Sequence, residues 1–413
     1  MTKTFPEKFL WGAATAPYQV EGNNLASDLW AMEHMPESMF SEPSGDTVDF
    51  YSRYPQDIAL LADLGLNTLR LGVEWARIEP EPGQISNAQL DHYERVVDRC
   101  LERKVEPVVT LHHFSSPKWI IPRHGWKNPE LAERYADHAH RVGTRLGDRV
   151  AWYCTFNEVN TPMQMVGNGL LSPAMAELLN PARRRAAEYF GVAEDDFVPF
   201  FPYADSEEAI KVVLDAHRRG VDAVHAANSN AMVGVTLSMQ EHFGLPGGEE
   251  QAAHVDEIVN RRWLRDAGSI GDFVGVQNYG RISYDETGRL HGGEHVMDNM
   301  LPMVPSTLGA TVREAAEITG KPILVTEHGA DLTTDRDELR IWFLRNSLDG
   351  LVDAIADGVD VRGYIHWCLT DNWEWFKGYT SHFGLHEVDR ATQERIPRPS
   401  AAVFGEIARA NAI

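Results

Sequence analysis

The sequence predicts an α/β fold, a single (β/α)8 TIM barrel spanning residues 1–413 with elaborated loops on the face where strands run into helices. Three observations lead there. Eight short apolar or β-branched runs recur along the chain, a helix-length pattern separates each pair, and no low-complexity linker divides the 413 residues. A barrel accommodates that length as one unit, and alternating βα units are its signature. The alternative, a doubly wound sheet with a second domain, has less support before motifs are considered.

The strands are expected at Leu10–Thr15, Asn67–Val73, Val105–Leu111, Val150–Phe156, Ala231–Leu237, Phe273–Gln277, Pro322–Thr326 and Val361–Trp367. Between the first two, Asp57–Leu64 places Ile58, Leu61 and Leu64 on one helical face before Gly65 stops it. Asp335 with Glu338 has the spacing of a capping box, opening a helix that runs through Trp342 and Leu351 to Gly358. The stretch Asn160–Asp205, rich in Pro, Phe and Tyr, reads as the longest irregular region, a large loop after the fourth strand. Its aromatic residues Phe197, Phe200, Phe201 and Tyr203 read as the loop's own local core, with a wall of a ligand site as the alternative.

Composition narrows the partners. With 43% hydrophobic residues the chain can bury a large core, and 61 acidic against 38 basic residues give a formal charge of -23. Such a surface repels phosphate backbones and anionic headgroups, so no nucleic-acid and no membrane partner is expected, while a neutral small molecule is not repelled. Cys100, Cys154 and Cys368 lie far apart with no CxxC spacing, which argues against a disulfide framework or a zinc site. The polar start Met1-Thr2-Lys3-Thr4 carries no signal-peptide pattern, and no apolar run approaches a membrane span. A cytoplasmic location is the expectation; oligomeric state is not legible.

On a barrel, reactive groups gather where strands end, because the βα loops build that face. Those ends carry Gln19, Arg70 and Glu74, His112-His113, Asn157-Glu158, Gln277-Asn278-Tyr279, Glu327-His328 and Trp367, followed by Asp371-Asn372-Trp373-Glu374-Trp375. A sugar presents hydroxyls that donate and accept together with an apolar face of C–H bonds, and amides, His, carboxylates and tryptophans suit those two surfaces. Cleaving a glycosidic bond needs two carboxyl groups and no metal or organic cofactor. HExxH, Walker and strand-linked GxGxxG signatures are all absent.

Several segments together resemble the β-glucosidases of glycoside hydrolase family 1. They are Phe9-Leu10-Trp11-Gly12 through Tyr18-Gln19-Val20-Glu21-Gly22, Thr155-Phe156-Asn157-Glu158, Val325-Thr326-Glu327-His328-Gly329-Ala330, and His366-Trp367-Cys368-Leu369-Thr370-Asp371-Asn372-Trp373-Glu374-Trp375. Leu111-His112-His113-Phe114, Gly125–Glu130 and Asp272–Val276 fill in between, so the matches run from residue 9 to 385 in family order. The resemblance implies a retaining β-glycosidase that hydrolyses terminal non-reducing β-D-glycosyl residues of a small-molecule β-glycoside or oligosaccharide. Glu158 would be the general acid/base and Glu327 the nucleophile. Asn157 would hold the sugar 2-hydroxyl; Arg70 and Tyr279 would contact the nucleophile. Gln19, His113 and Glu374 would bind hydroxyls, Trp367 would stack under the ring, and Trp375 would lie near the outer hydroxyls.

Other residues carry plainer expectations. Adjacent side chains on a strand point to opposite faces, so His112 and His113 are not expected to share a metal, and His112 reads as a core group. Trp373 reads as packing, and Glu21 and Glu74 as structural. Three positions depart from the family pattern: Phe114 replaces a common tryptophan, Val159 a proline and His328 an asparagine. The charge of Glu374 is expected to disfavour 6-phosphorylated sugars. Transglycosylation on the same site, and a non-catalytic glycan-binding barrel, are the rival functions.

Overall fold

The computed structural model describes residues 2–167, 173–200, 206–290 and 292–413. Eight parallel strands close a barrel: β1 (Leu10–Ala14), β2 (Thr68–Gly72), β3 (Glu106–Thr110), β4 (Trp152–Cys154), β5 (Met232–Ser238), β6 (Phe273–Asn278), β7 (Ile323–His328) and β8 (Val361–His366). Each pairs with its neighbours in sequence, and β1 closes the ring against β8 with Trp11 opposite Tyr364 and Ala13 opposite His366. All eight coincide with the strands expected from the sequence to within two residues at either end. The reason is physical: strands covered on both faces read as unbroken apolar runs, and β2, β6 and β7 are buried at every position.

The outer ring is built from helices such as Phe50–Asp63, Asn87–Glu102, Glu130–Leu146, Glu207–Ala227, Ser306–Thr319, Asp337–Ala356 and Pro399–Ala410. Glu130–Leu146 shows the logic: Leu131, Tyr135, His138, Val142 and Leu146 recur every three to four residues and are buried. Gly147, with φ of 59°, ends the helix in a conformation that a side chain disfavours.

Three local expectations are corrected. The helix expected over Asp57–Leu64 begins at Phe50, seven residues before Asp57, and passes through Pro55. Proline forfeits one hydrogen bond there, but its fixed φ is a helical value. The helix expected at Asp335 begins at Asp337, after a 3-10 turn over Thr334–Arg336, and no capping box forms. Asp337 is buried instead: it accepts from the Ser400 amide at 2.7 Å and pairs with Arg340, tying this helix to the last one. The region Asn160–Asp205 is largely helical where described, with Thr161–Gly167 and Pro173–Phe190. Its prolines misled the reading, since Pro162 and Pro173 stand in first turns, where a missing N–H has no intrahelical partner to lose. Phe197 stacks on Phe190 at 5.6 Å within the region, as expected, whereas Phe200 packs against His112, Trp126 and Phe156 with centroids 4.9–5.7 Å apart and so joins the main core rather than a core of the loop's own. Phe201 and Tyr203 lie outside the described residues.

Barrel closure demands a small residue at Gly12. A Cβ there would stand 2.4 Å from the backbone oxygen of Thr68, which cannot rotate away. Gly12→Ala should therefore destabilise the fold by about 1–3 kcal/mol, measured as a lowered midpoint of chemical denaturation; an unchanged midpoint would contradict the packing described.

Candidate active site

A cavity of about 260 Å³ opens at the C-terminal end of the barrel strands. Every sugar-site residue expected from the sequence except Arg70 lines it: Gln19, His113, Asn157, Glu158, Tyr279, Glu327, Trp367, Glu374 and Trp375. Arg70 lies just beneath, fully buried on β2.

The guanidinium organises the floor. Its Nε donates to Thr110 Oγ1 at 3.1 Å, one terminal nitrogen donates to Glu327 Oε1, and the other donates to Asn157 Oδ1 at 2.6 Å. Tyr279 donates its hydroxyl to the second oxygen of Glu327 at 2.6 Å. Gln277 Nε2 also donates to Asn157 Oδ1, at 2.8 Å. With those donors on its carbonyl oxygen, the Asn157 amide is turned so that Nδ2 is the group left for a ligand. A register shift between β6 and β7 at Val325/Glu327 leaves Thr326 as an extra residue just before this carboxylate. Such a bulge re-aims the side chain that follows it.

Glu158 follows β4 on a left-handed backbone, φ 43°. Its amide donates to Thr236 Oγ1 at 3.0 Å, and its Oε2 accepts from Thr161 Oγ1 at 2.8 Å. The two carboxyl groups thus have different surroundings. Burial, and then the charge of Glu327, push the Glu158 carboxyl up to about 7. Burial also raises Glu327, but the Arg70 charge and the Tyr279 and Arg70 hydrogen bonds pull against it. Glu158 is disposed to hold a proton near neutrality, while the cation and the phenol on Glu327 favour its ionised form against the raising effect of burial.

The walls supply polar and aromatic surfaces. Gln19 Nε2 donates to Glu374 Oε2 at 3.0 Å and to the Trp373 carbonyl at 3.1 Å, while its Oε1 is buried without a hydrogen bond inside the protein. His113 Nδ1 is likewise unbonded, and its ring is nearly parallel to Trp367 and Trp375, with centroids 5.9 and 6.1 Å away. Phe114, with no donor on its ring, meets Trp375 edge-on at 5.3 Å.

The residues expected to be structural behave so. His112 Nε2 bonds Ser116 Oγ at 2.9 Å inside the core, Glu21 pairs with Arg77 at 2.8 Å, and Glu74 accepts from Ala76 N at 3.2 Å and Ser115 Oγ at 3.0 Å. Trp373 is buried against Phe40 and donates to the Glu42 carbonyl at 3.1 Å. One premise fails. Burial and the charges of Glu327 and Asp331 push Glu374 up to about 8, so it is mostly protonated in the free cavity at neutral pH. A phosphorylated sugar is disfavoured instead by the lining, which among the described residues contains neither lysine nor arginine.

Sequence reasoning missed Thr161, Ser238, Gln240, Asn299, Leu301 and Phe383, which complete the cavity. Ser238 ends β5 and Gln240 follows it, the one strand end to which no candidate had been assigned, so the strand-end rule reaches them. Asn299, Leu301 and Phe383 come from later parts of long βα loops, where position along the chain gives no signal.

A buried and a half-buried carboxyl group under a sugar-sized, amide- and tryptophan-lined cavity make this barrel a carbohydrate-cleaving enzyme. The model of glycosyl hydrolase family 1 matches residues 1–281 and 295–413, and the chain belongs to that family. It is a retaining β-glycosidase. It is 32% identical to the thermostable beta-glucosidase B of Thermobispora bispora, over 99% of this chain and 92% of that protein. Among solved structures, beta-glycosidase BGL167 superposes with a TM-score of 0.94 at 44% identity, covering 99% of this chain and 98% of that one. The family 1 β-glucosidase of Thermotoga maritima does so with a TM-score of 0.83 at 25% identity, each chain covered completely.

The charge of Glu327 contributes to the high Glu158 value, so removing that charge should lower it. In Glu327→Gln, carboxyl-labelled glutamate followed by 13C NMR should show Glu158 titrating at lower pH than in the wild type. An unmoved titration would mean that the two carboxyl groups do not sense each other.

Proposed function

We propose that the enzyme removes terminal non-reducing β-D-glucosyl residues, and the closely related galactosyl or fucosyl residues, from small β-glycosides, with Glu327 as nucleophile and Glu158 as general acid/base. The observation that carries this reading is the asymmetry of the two carboxyl groups. Glu327 has a cation on one oxygen and a phenol on the other, as a nucleophile that must stay ionised requires. Glu158 is raised to about 7 and, among the described residues, has no cation in hydrogen-bonding contact, as an acid that must hold its proton requires.

In the first step a Glu327 oxygen bonds to the anomeric carbon while the bond to the leaving oxygen breaks and Glu158 passes its proton to that oxygen. In the second, Glu158 takes a proton from water as the water oxygen displaces Glu327. Asn157 Nδ2 would meet the 2-hydroxyl, where a hydrogen bond strengthens as positive charge develops at the ring. Gln19, His113 and a protonated Glu374 would bind the remaining hydroxyls, with Trp367 under the ring and Trp375 beside it. A protonated Glu374 can donate as well as accept, which suits a hydroxyl ligand. A cytoplasmic location is proposed with it, supported by three cysteines that are all buried free thiols; among the described residues no helix is long and apolar enough to cross a membrane.

Glu327→Gln should lower kcat by more than about 10³-fold, the scale of loss when a nucleophile is removed, while glucose still binds by calorimetry. Wild-type turnover in that variant would overturn the assignment. Proton NMR of early wild-type hydrolysis should show the β-anomer first, and an initial α-anomer would overturn the two-step scheme.

A further inference from the structure

We propose that Thr161 is the positioning residue of the acid/base carboxyl: its hydroxyl holds Oε2 of Glu158 and so commits Oε1 to the proton that travels to the leaving oxygen. The proposal rests on the acid/base role assigned above to Glu158. Thr161 lines the cavity, donates to Oε2 at 2.8 Å, and donates its backbone amide to the Glu158 carbonyl at 2.9 Å. A carboxyl group has two chemically equivalent oxygens and a broad terminal torsion, so something must choose which oxygen faces the substrate.

The surrounding residues make Thr161 a rigid chooser. Asn160 Nδ2 donates to the Ser238 carbonyl at 2.7 Å and the Val259 carbonyl at 2.8 Å, and its Oδ1 accepts from the Ser238 amide at 2.9 Å. Gln164 closes the clamp, accepting from Ser238 Oγ at 3.0 Å and donating to the Ser238 carbonyl. The short helix carrying Thr161 is thereby fastened to the end of β5. The left-handed backbone at Glu158, φ 43°, is held by this framework.

A hydroxyl donor fits both halves of the cycle. With the proton on Oε1, Oε2 is a carbonyl-like acceptor; once Glu158 is ionised, the same bond becomes charge-assisted and stronger. Loss of the hydroxyl therefore disfavours the ionised form and raises the titration of Glu158 above its present value.

The test is the pH dependence of kcat/KM for aryl β-glucosides of graded leaving-group acidity, in the wild type, Thr161→Val, Thr161→Ser and Glu158→Gln. Thr161→Val should lose about tenfold on phenyl β-glucoside, whose departure needs a proton, and much less on the 2,4-dinitrophenyl glucoside, whose departure does not. Its alkaline limb should move to higher pH, and Thr161→Ser should restore both properties. Retained cleavage of the dinitrophenyl substrate reports that the variant is folded. A Thr161→Val enzyme with the wild-type limb and the wild-type leaving-group dependence would overturn the proposal. Glu158→Gln separates it from the reading beneath it: that variant should keep cleavage only of the activated substrates, and if it cleaves all alike, the acid/base assignment itself fails.

Discussion

The buried guanidinium of Arg70 is the interaction on which the site depends. A cation with no exposure to water is tolerable only beside an anion and with its remaining N–H groups bonded. Here the anion is Glu327, and the other donors are taken by Thr110 and Asn157. One side chain on β2 thereby sets the charge of a group on β7 and the orientation of an amide after β4. Three strands of the barrel are committed to a single geometry, and none of the three residues can change without leaving a buried polar group unpaired.

That constraint also creates the difference between the two carboxyl groups. Arg70 is paired with Glu327, so after burial the strongest charge effect on Glu158 is that of a negative neighbour. The same negative charge reaches Glu374 across the cavity and contributes to its protonation. Burial, reinforced by one fixed anion, thus leaves two neighbouring carboxyls proton-loaded, one suited to acid catalysis and one to donating a hydrogen bond to a sugar. The acidic surface, with a formal charge of -23, does not oppose entry of a neutral substrate.

The fold was legible in the sequence because both-face burial writes a strand as a continuous apolar run, and eight such runs are hard to arrange otherwise. The floor of the site was legible too, since Arg70, Asn157, Glu158 and Glu327 sit on or just after strands whose positions could be read. Legibility faded with distance from the strands. The capping-box spacing at Asp335 and Glu338 was real as a pattern, yet Asp337 was recruited to hold Ser400 and Arg340, a tertiary demand that no local rule encodes. The segment after Asn160 looked irregular because its prolines read as breakers, although two of them open helices. Thr161 escaped notice because its importance comes from a hydrogen bond to a residue three positions back and from a clamp on β5. The protonation of Glu374 depends on summed burial and charge, which a residue name does not carry.

In the proposed mechanism an oxygen of Glu327, and not of Glu158, bonds to the anomeric carbon in the covalent intermediate. A 2-deoxy-2-fluoro β-glucoside with an activated leaving group slows both steps and allows the intermediate to accumulate. Peptide mass spectrometry after brief incubation should find the fluoroglucosyl group on the peptide containing Glu327, at that residue. A label on Glu158, or steady turnover with no label anywhere, would contradict the account.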